Sequence, residues 1–159
     1  MNRLFCLLLL SGMALITISG FPCSGKSQRA HELSQYMACR IQGQGAFHSV
    51  QVISDDVLGL QRSVYDGMPC MFPDCLLICQ SAESYSEKPA RGTLFTAVQR
   101  ALAPGKIVIL DSLNYIKGFR YQLYCAAREA RCRVCTVCSI LGLSHNPTDS
   151  EIDLCCHKT

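Results

Sequence analysis

Residues 14–19 (Ala-Leu-Ile-Thr-Ile-Ser) form a nearly unbroken apolar run rich in β-branched side chains. A strand buried on both faces of a parallel sheet has this pattern. From residue 27 to 39, Ala30, Leu33, Met37 and Ala38 recur at helical spacing among polar residues, and Gly43 and Gly45 close the segment. Residues 48–53 (His-Ser-Val-Gln-Val-Ile) alternate and predict a second strand, which runs into Ser54-Asp55-Asp56 and a short helix at 57–62. Residues 91–103 carry the apolar stripe Leu94, Phe95, Val98, Ala101 and Leu102, and Pro104-Gly105 ends it. Arg91 and Arg100 fall on other faces of that helix and read as solvated surface. Residues 106–111 (Lys-Ile-Val-Ile-Leu-Asp) predict a third strand, 119–130 a helix and 131–140 a fourth strand. Strands alternating with helices predict an α/β fold, a parallel sheet flanked by helices on both faces. The domain spans 13–141. Outside the pattern lie an N-terminal extension at 1–12, a polar tail at 142–159, and an irregular excursion at 64–87 punctuated by Gly67, Pro69 and Pro73.

The turn after the first strand carries the chemistry. Gly20-Phe21-Pro22-Cys23-Ser24-Gly25-Lys26-Ser27 reads G-x-x-x-x-G-K-S, between a predicted strand and a predicted helix. This is the phosphate-binding P-loop in the context it requires, and it predicts a P-loop NTPase domain. Glycines let the backbone aim successive N–H groups at phosphate oxygens, and the helix that follows presents its positive end to the same anion. Lys26 reaches toward the outer phosphates of ATP, and the Ser27 hydroxyl is a Mg²⁺ ligand. Asp111 closes four apolar residues, as a Walker B aspartate does, and is the second Mg²⁺ ligand. Asp55 and Asp56 sit just past a strand end, where α/β sheets bind ligands. For these two, a catalytic carboxylate and a cap on the next helix are equally open readings. Lys117 and Arg120, beyond Asp111, are likewise open between phosphate contact and surface.

Composition narrows the partners and the compartment. With 49% hydrophobic and 17% charged residues the chain is globular, and a net charge of +3 is too small to argue for nucleic acid by itself. Twelve cysteines would suggest a disulfide framework in a secreted chain and metal sites or plain thiols in a cytosolic one. Residues 1–19 resemble a signal peptide, with Arg3 before the apolar run at 4–10. Cleavage there would discard the strand that leads into the P-loop and, with Cys6, leave eleven of twelve cysteines, an odd number for closed pairing. The signal reading is therefore set aside, and no membrane partner is expected. Cys132, Cys135 and Cys138 give C-x2-C-x2-C, but a ferredoxin-type run needs a fourth cysteine where Gly142 stands. Strand alternation also turns Cys135 away from the other two, so buried thiols are expected. Cys70, Cys75 and Cys79 match no zinc spacing, and Cys155-Cys156-His157 is too short a cluster to make a site.

The P-loop, the block Glu87-Lys88-Pro89-Ala90-Arg91-Gly92, and the run Ile109-Leu110-Asp111-Ser112-Leu113-Asn114-Tyr115-Ile116-Lys117-Gly118-Phe119-Arg120-Tyr121 that continues to Ala130 resemble the Elongator-associated P-loop ATPases named for killer toxin insensitivity (Kti-twelve). Phosphoseryl-tRNA kinase is a relative of that family. The resemblance covers residues 14–139, poorly at 68–86. It implies an ATPase whose hydrolysis depends on tRNA and which works with the Elongator complex in tRNA wobble-uridine modification. By the same resemblance, Gly20 to Ser27 hold the triphosphate, Ser27 and Asp111 hold Mg²⁺, and Asp55 orients the attacking water. Family members carry a further helical domain that contributes to tRNA binding. Here the chain ends soon after the fourth strand, so a truncated product, incomplete at the C-terminus and lacking an edge strand, is expected. Two alternatives stand beside the ATPase: a kinase using Asp55 as base toward a hydroxyl, and a non-catalytic interaction fragment. A cytoplasmic location is expected, with the nucleus as a second.

Overall fold

The structure is a computed structural model that describes residues 12–20, 22–41, 47–65, 84–139 and 152–155. Strand β1 (Ala14–Gly20) is the centre of a five-stranded sheet. Helix α1 (Lys26–Ile41), strand β2 (Ser49–Ser54), helix α2 (Ser84–Ala101), strand β3 (Lys106–Asp111), helix α3 (Lys117–Glu129), strand β4 (Arg133–Ser139) and strand β5 (Ile152–Cys155) follow in chain order. The sheet order is β2-β3-β1-β4-β5. β1 runs parallel between β3 and β4, with Ile16 opposite both Ile109 and Cys135. β2 extends the parallel part beyond β3, and β5 pairs antiparallel with β4.

The alternation of β1 divides the core. Ala14, Ile16 and Ile18 face α1 and pack with Ala30, Met37, Ile107, Ile109 and Val137. Leu15 faces the other way and packs with Leu94 and Val98 of α2 and Phe119 and Leu123 of α3. Both faces of β1 are thus covered, which explains its unbroken apolar sequence. Burying each of the large aliphatic side chains stabilises the fold by roughly 1.5–3 kcal/mol. Thr17, one of the two polar residues of the run, is satisfied across the strands by a 2.9 Å contact between its hydroxyl and that of Thr136.

This topology creates a crevice. The chain leaves β1 for α1 on one face and leaves the adjacent β3 for α3 on the other. Loops diverging from neighbouring parallel strands open a cleft at their carboxyl ends.

Five readings of the sequence change. No helix occupies 57–62: residues 55–59 form turns and a 3-10 turn covers Arg62–Tyr65. Helix α2 begins at Ser84 and runs through Pro89, which supplies no N–H to the carbonyl of Tyr85. The packing of Ala90, Leu94, Val98 and Ala101 carries the helix through that interruption, and Glu87 belongs to it, not to an irregular excursion. The expected polar tail contributes β5, so an edge strand does lie beyond β4. Ala38 is exposed, because the buried face of α1 passes through Leu33, Met37 and Ile41. Arg91 is not simply solvated, since its guanidinium lies 3.4 Å from Glu87 with 19% of the side chain exposed. The readings at 1–11 and 66–83, the latter with Cys70, Cys75 and Cys79, fall outside the described residues, as do those of Phe21, Cys156 and His157.

Candidate functional site

The P-loop forms because two glycines allow it. A Cβ on Gly20 would lie 2.5 Å from the Ser139 carbonyl oxygen and 2.8 Å from Ser24 Oγ, so a side chain there cannot be accommodated. Gly25 has φ +79°, a conformation that disfavours a Cβ. Its carbonyl accepts the first bond of α1, from the Arg29 N–H at 3.0 Å. The loop therefore feeds directly into the helix, whose N-terminus opens on the cleft. Cys23 also has a positive φ, +60°, and is exposed. From β4, Ser139 Oγ donates to the Ser24 carbonyl at 2.5 Å and ties the loop to the sheet.

Lys26 is buried and curls back so that Nζ donates to the Gly20 carbonyl at 3.1 Å. Burial pushes its pKa down, and the neighbouring Asp111, Cys23 and Asp55 oppose that shift. Burial likewise raises the Asp111 carboxyl, against a hydrogen bond from Ser27 and the charge of Lys26. Ser27 and Asp111 are therefore side by side, one from the start of α1 and one from the end of β3. Asp55, past the end of β2, has its pKa raised by burial, pulled back by two hydrogen bonds and raised again by Asp111 and Asp56. Pro22, Cys23, Gly25, Lys26, Ser27, Asp55, Asp56 and Asp111 line one cleft of about 540 Å³. That is room for a small ligand of nucleotide size. The predicted residues are thus brought together, apart from Gly20 and Ser24, which shape the loop behind, and Phe21, which is outside the described residues.

A neighbour answers the capping reading of Asp55. Ser54 Oγ accepts the Val57 N–H at 3.2 Å and closes the turn, so Asp55 is not the cap. Asp55 Oδ1 instead accepts from the Tyr65 hydroxyl at 3.0 Å and the Ser112 hydroxyl at 3.1 Å. Arg120 is committed to structure: its guanidinium donates to the carbonyls of Asn114 and Tyr115, each at 2.7 Å. Lys117 is exposed. Asn114, at φ +40°, fastens the loop after β3 to the strand before the P-loop through Nδ2 to the Ile18 carbonyl at 2.8 Å. Sequence reasoning missed Tyr65 and Ser139 as site residues. Both act across turns or strands, and neither lies in a local motif.

The donor set fits a hard divalent cation. A hydroxyl and a carboxylate adjoin, the carboxylate is destabilised by burial, and space opens in front of them. The cysteine-cluster reading does not fit. Cys132 lies in the core on the α2–α3 side of the sheet and Cys135 in the core on the α1 side, so one cluster could not reach both. Burial pushes the Cys132 thiol up to about 12, which keeps it protonated.

Comparison with known proteins gives the family. The family described as "Chromatin associated protein KTI12" matches residues 13–148. The chain belongs to the KTI12 family. It is 40% identical to the KTI12 homolog of Xenopus laevis over 126 residues, covering 79% of this chain and 38% of that protein. It is 35% identical to KTI12 of Saccharomyces cerevisiae over 127 residues, covering 79% and 36%. The chain therefore spans less than half the length of these KTI12 relatives. A crystal structure of Chaetomium thermophilum Kti12 in complex with ADP-AlF3 is 44% identical, with a TM-score of 0.65 over 81% of this chain and 61% of that one. An adenosine 5′-phosphosulfate (APS) kinase of Mycobacterium tuberculosis, at 15% identity and a TM-score of 0.52, shares the fold alone. The P-loop and the run from Ile109 to Ala130 lie inside the KTI12 match, which also passes through 140–148 beyond β4.

Proposed function

We propose that this chain binds Mg²⁺–ATP and hydrolyses it as a regulatory factor of the Elongator complex in tRNA wobble-uridine modification, working in the cytoplasm and nucleus. The observation that carries the reading is the gathering of Lys26, Ser27, Asp55 and Asp111 around a single cleft at the ends of β1, β2 and β3. A KTI12-family relative binding ADP-AlF3 supports it. The P-loop amides and the α1 N-terminus receive the phosphates, and Lys26 leaves the Gly20 carbonyl for phosphate oxygens. Ser27 and Asp111 hold Mg²⁺, which supplies charge neutralisation of the phosphates when bound. Asp55 accepts a hydrogen bond from the attacking water and orients it toward the γ-phosphorus. The amides and Lys26 then stabilise the charge that develops on the transferring group.

The test is calorimetry of Mg²⁺–ATP with the purified chain and with Lys26→Ala. Saturable binding is expected, weakened about 10–100-fold in the variant by loss of a charged hydrogen bond. Phosphate release with and without added tRNA follows. A folded chain that binds no nucleotide overturns the proposal.

A further inference from the structure

We propose that Tyr65 is a positioning residue for Asp55: with Ser112 it holds one carboxylate oxygen, so that the other is presented to the cleft. The inference rests on the role given to Asp55 in the proposed hydrolysis.

The geometry is built from three separate places. Asp55 follows β2, Ser112 follows β3, and Tyr65 ends the 3-10 turn. The chain between Asp55 and Tyr65 is folded back by backbone bonds from Leu58 to Ser54 (3.2 Å), Leu60 to Asp55 (2.9 Å) and Val64 to Gln61 (3.1 Å). The 3-10 turn packs against α2. The Tyr65 hydroxyl is thereby returned to the carboxylate that started the turn. Both donors fall on Oδ1, at 3.0 and 3.1 Å, and among the described residues Oδ2 accepts no hydrogen bond. Two donors on one oxygen fix rotation about the carboxylate axis without consuming the second oxygen. Asp55, Tyr65 and Ser112 all line the same cleft as Lys26 and Asp111.

Tyr65 suits the task chemically. A phenol is a strong donor on a rigid ring with few rotatable bonds, so holding it in place costs little entropy. Its pKa is pushed up to about 12 by burial and by the charges of Asp55 and Glu87, so it stays a donor throughout the working range. On its far side, Tyr115 donates to Glu87, and Glu87 meets Arg91. Glu87, whose charge also acts on Tyr65, is therefore engaged by other partners. Small errors of aim at a reacting group cost rate steeply, up to about 100-fold for 1 Å.

Tyr65→Phe, Ser112→Ala, the double variant and Asp55→Asn are compared in the full chain. Turnover in Tyr65→Phe is expected to fall about tenfold, with KM for ATP and calorimetric nucleotide affinity within twofold of wild type. In the Asp55→Asn background, Tyr65→Phe should cost nothing further, a non-additivity that a merely structural tyrosine would not show. The nucleotide-free chain gives an independent readout. With ¹³C-carboxyl aspartate, the resonance absent from Asp55→Asn should shift in Tyr65→Phe and in Ser112→Ala, and carboxyl resonances away from the cleft should stay in place. Wild-type turnover in Tyr65→Phe, or an unmoved Asp55 resonance, overturns the proposal. If the wild-type chain binds nucleotide without hydrolysing it, the hydrolysis reading fails, and the carboxyl resonance alone decides the positioning.

Discussion

Gly20 and the carboxylates of Asp55 and Asp111 show how narrowly single residues are constrained. Gly20→Ala would force a Cβ to within 2.5 Å of the Ser139 carbonyl. Since that oxygen belongs to backbone, the loop must move. The expected cost is about 1–3 kcal/mol, seen as a lower Tm together with weaker Mg²⁺–ATP binding in the same preparation. Asp55 and Asp111 carry pKa values raised above 3.8 chiefly by burial. In the metal-free chain the folded state therefore binds protons more tightly than the unfolded state at these two positions. Their contribution to stability is most favourable below the unfolded pKa and declines as pH rises through the raised folded values. Urea titrations from pH 4 to 7 should show this component, and it should be smaller in Asp55→Asn. That variant should melt at a higher temperature than wild type at pH 7 without nucleotide, even as it loses turnover. Of these residues, Gly20, Lys26, Ser27 and Asp111 were legible because their motif is local. Asp55 was legible only as one of two options, and the bond that removes the cap, from the Val57 N–H to the Ser54 hydroxyl, is not written in any motif.

Elements were legible in proportion to their burial. β1 and β3 have both faces covered, and their sequences are nearly continuous apolar runs. α2 begins ahead of the start expected at residue 91, because Ala90 and Leu94 pack well enough to carry the helix across Pro89. β5, with four residues, offered too short an alternation to be told from a turn. Nothing in the sequence between Asp55 and Tyr65 announces that its turns will return the tyrosine onto the aspartate. A comparable long-range contact joins β4 to the P-loop. Ser139→Ala removes the donor to the Ser24 carbonyl and leaves that acceptor without its partner. A loss of about 1–3 kcal/mol is expected by urea denaturation, with a larger fall in nucleotide affinity than an equally destabilising core change would give. Leu123→Ala supplies that core control: the side chain is fully buried between α3 and the sheet. It should cost about 2–5 kcal/mol and leave the affinity of the remaining folded molecules unchanged.

At the scale of the molecule, the sheet order sets where chemistry can occur. Among the described residues the chain departs to opposite faces between β1 and β3, and the P-loop and Asp111 stand at that division. A ligand that touches both bridges two loops otherwise joined through Asn114 and the Ser27–Asp111 contact. Unfolding temperature should therefore climb with Mg²⁺–ATP concentration, by about 2.7 kcal/mol of added stability at a hundredfold excess over Kd. Ser139 has a wider consequence. It is in register with Gly20 on one side and Ile152 on the other, while its hydroxyl holds Ser24. The last residue of β4 is thus a shared rivet, common to the P-loop and to the outermost ladder. Occupancy of the P-loop should be felt as slower amide hydrogen exchange in Ile152 to Cys155, at the far margin of the molecule. By thermodynamic reciprocity, anything that peels that margin away loosens the grip on nucleotide by the same factor.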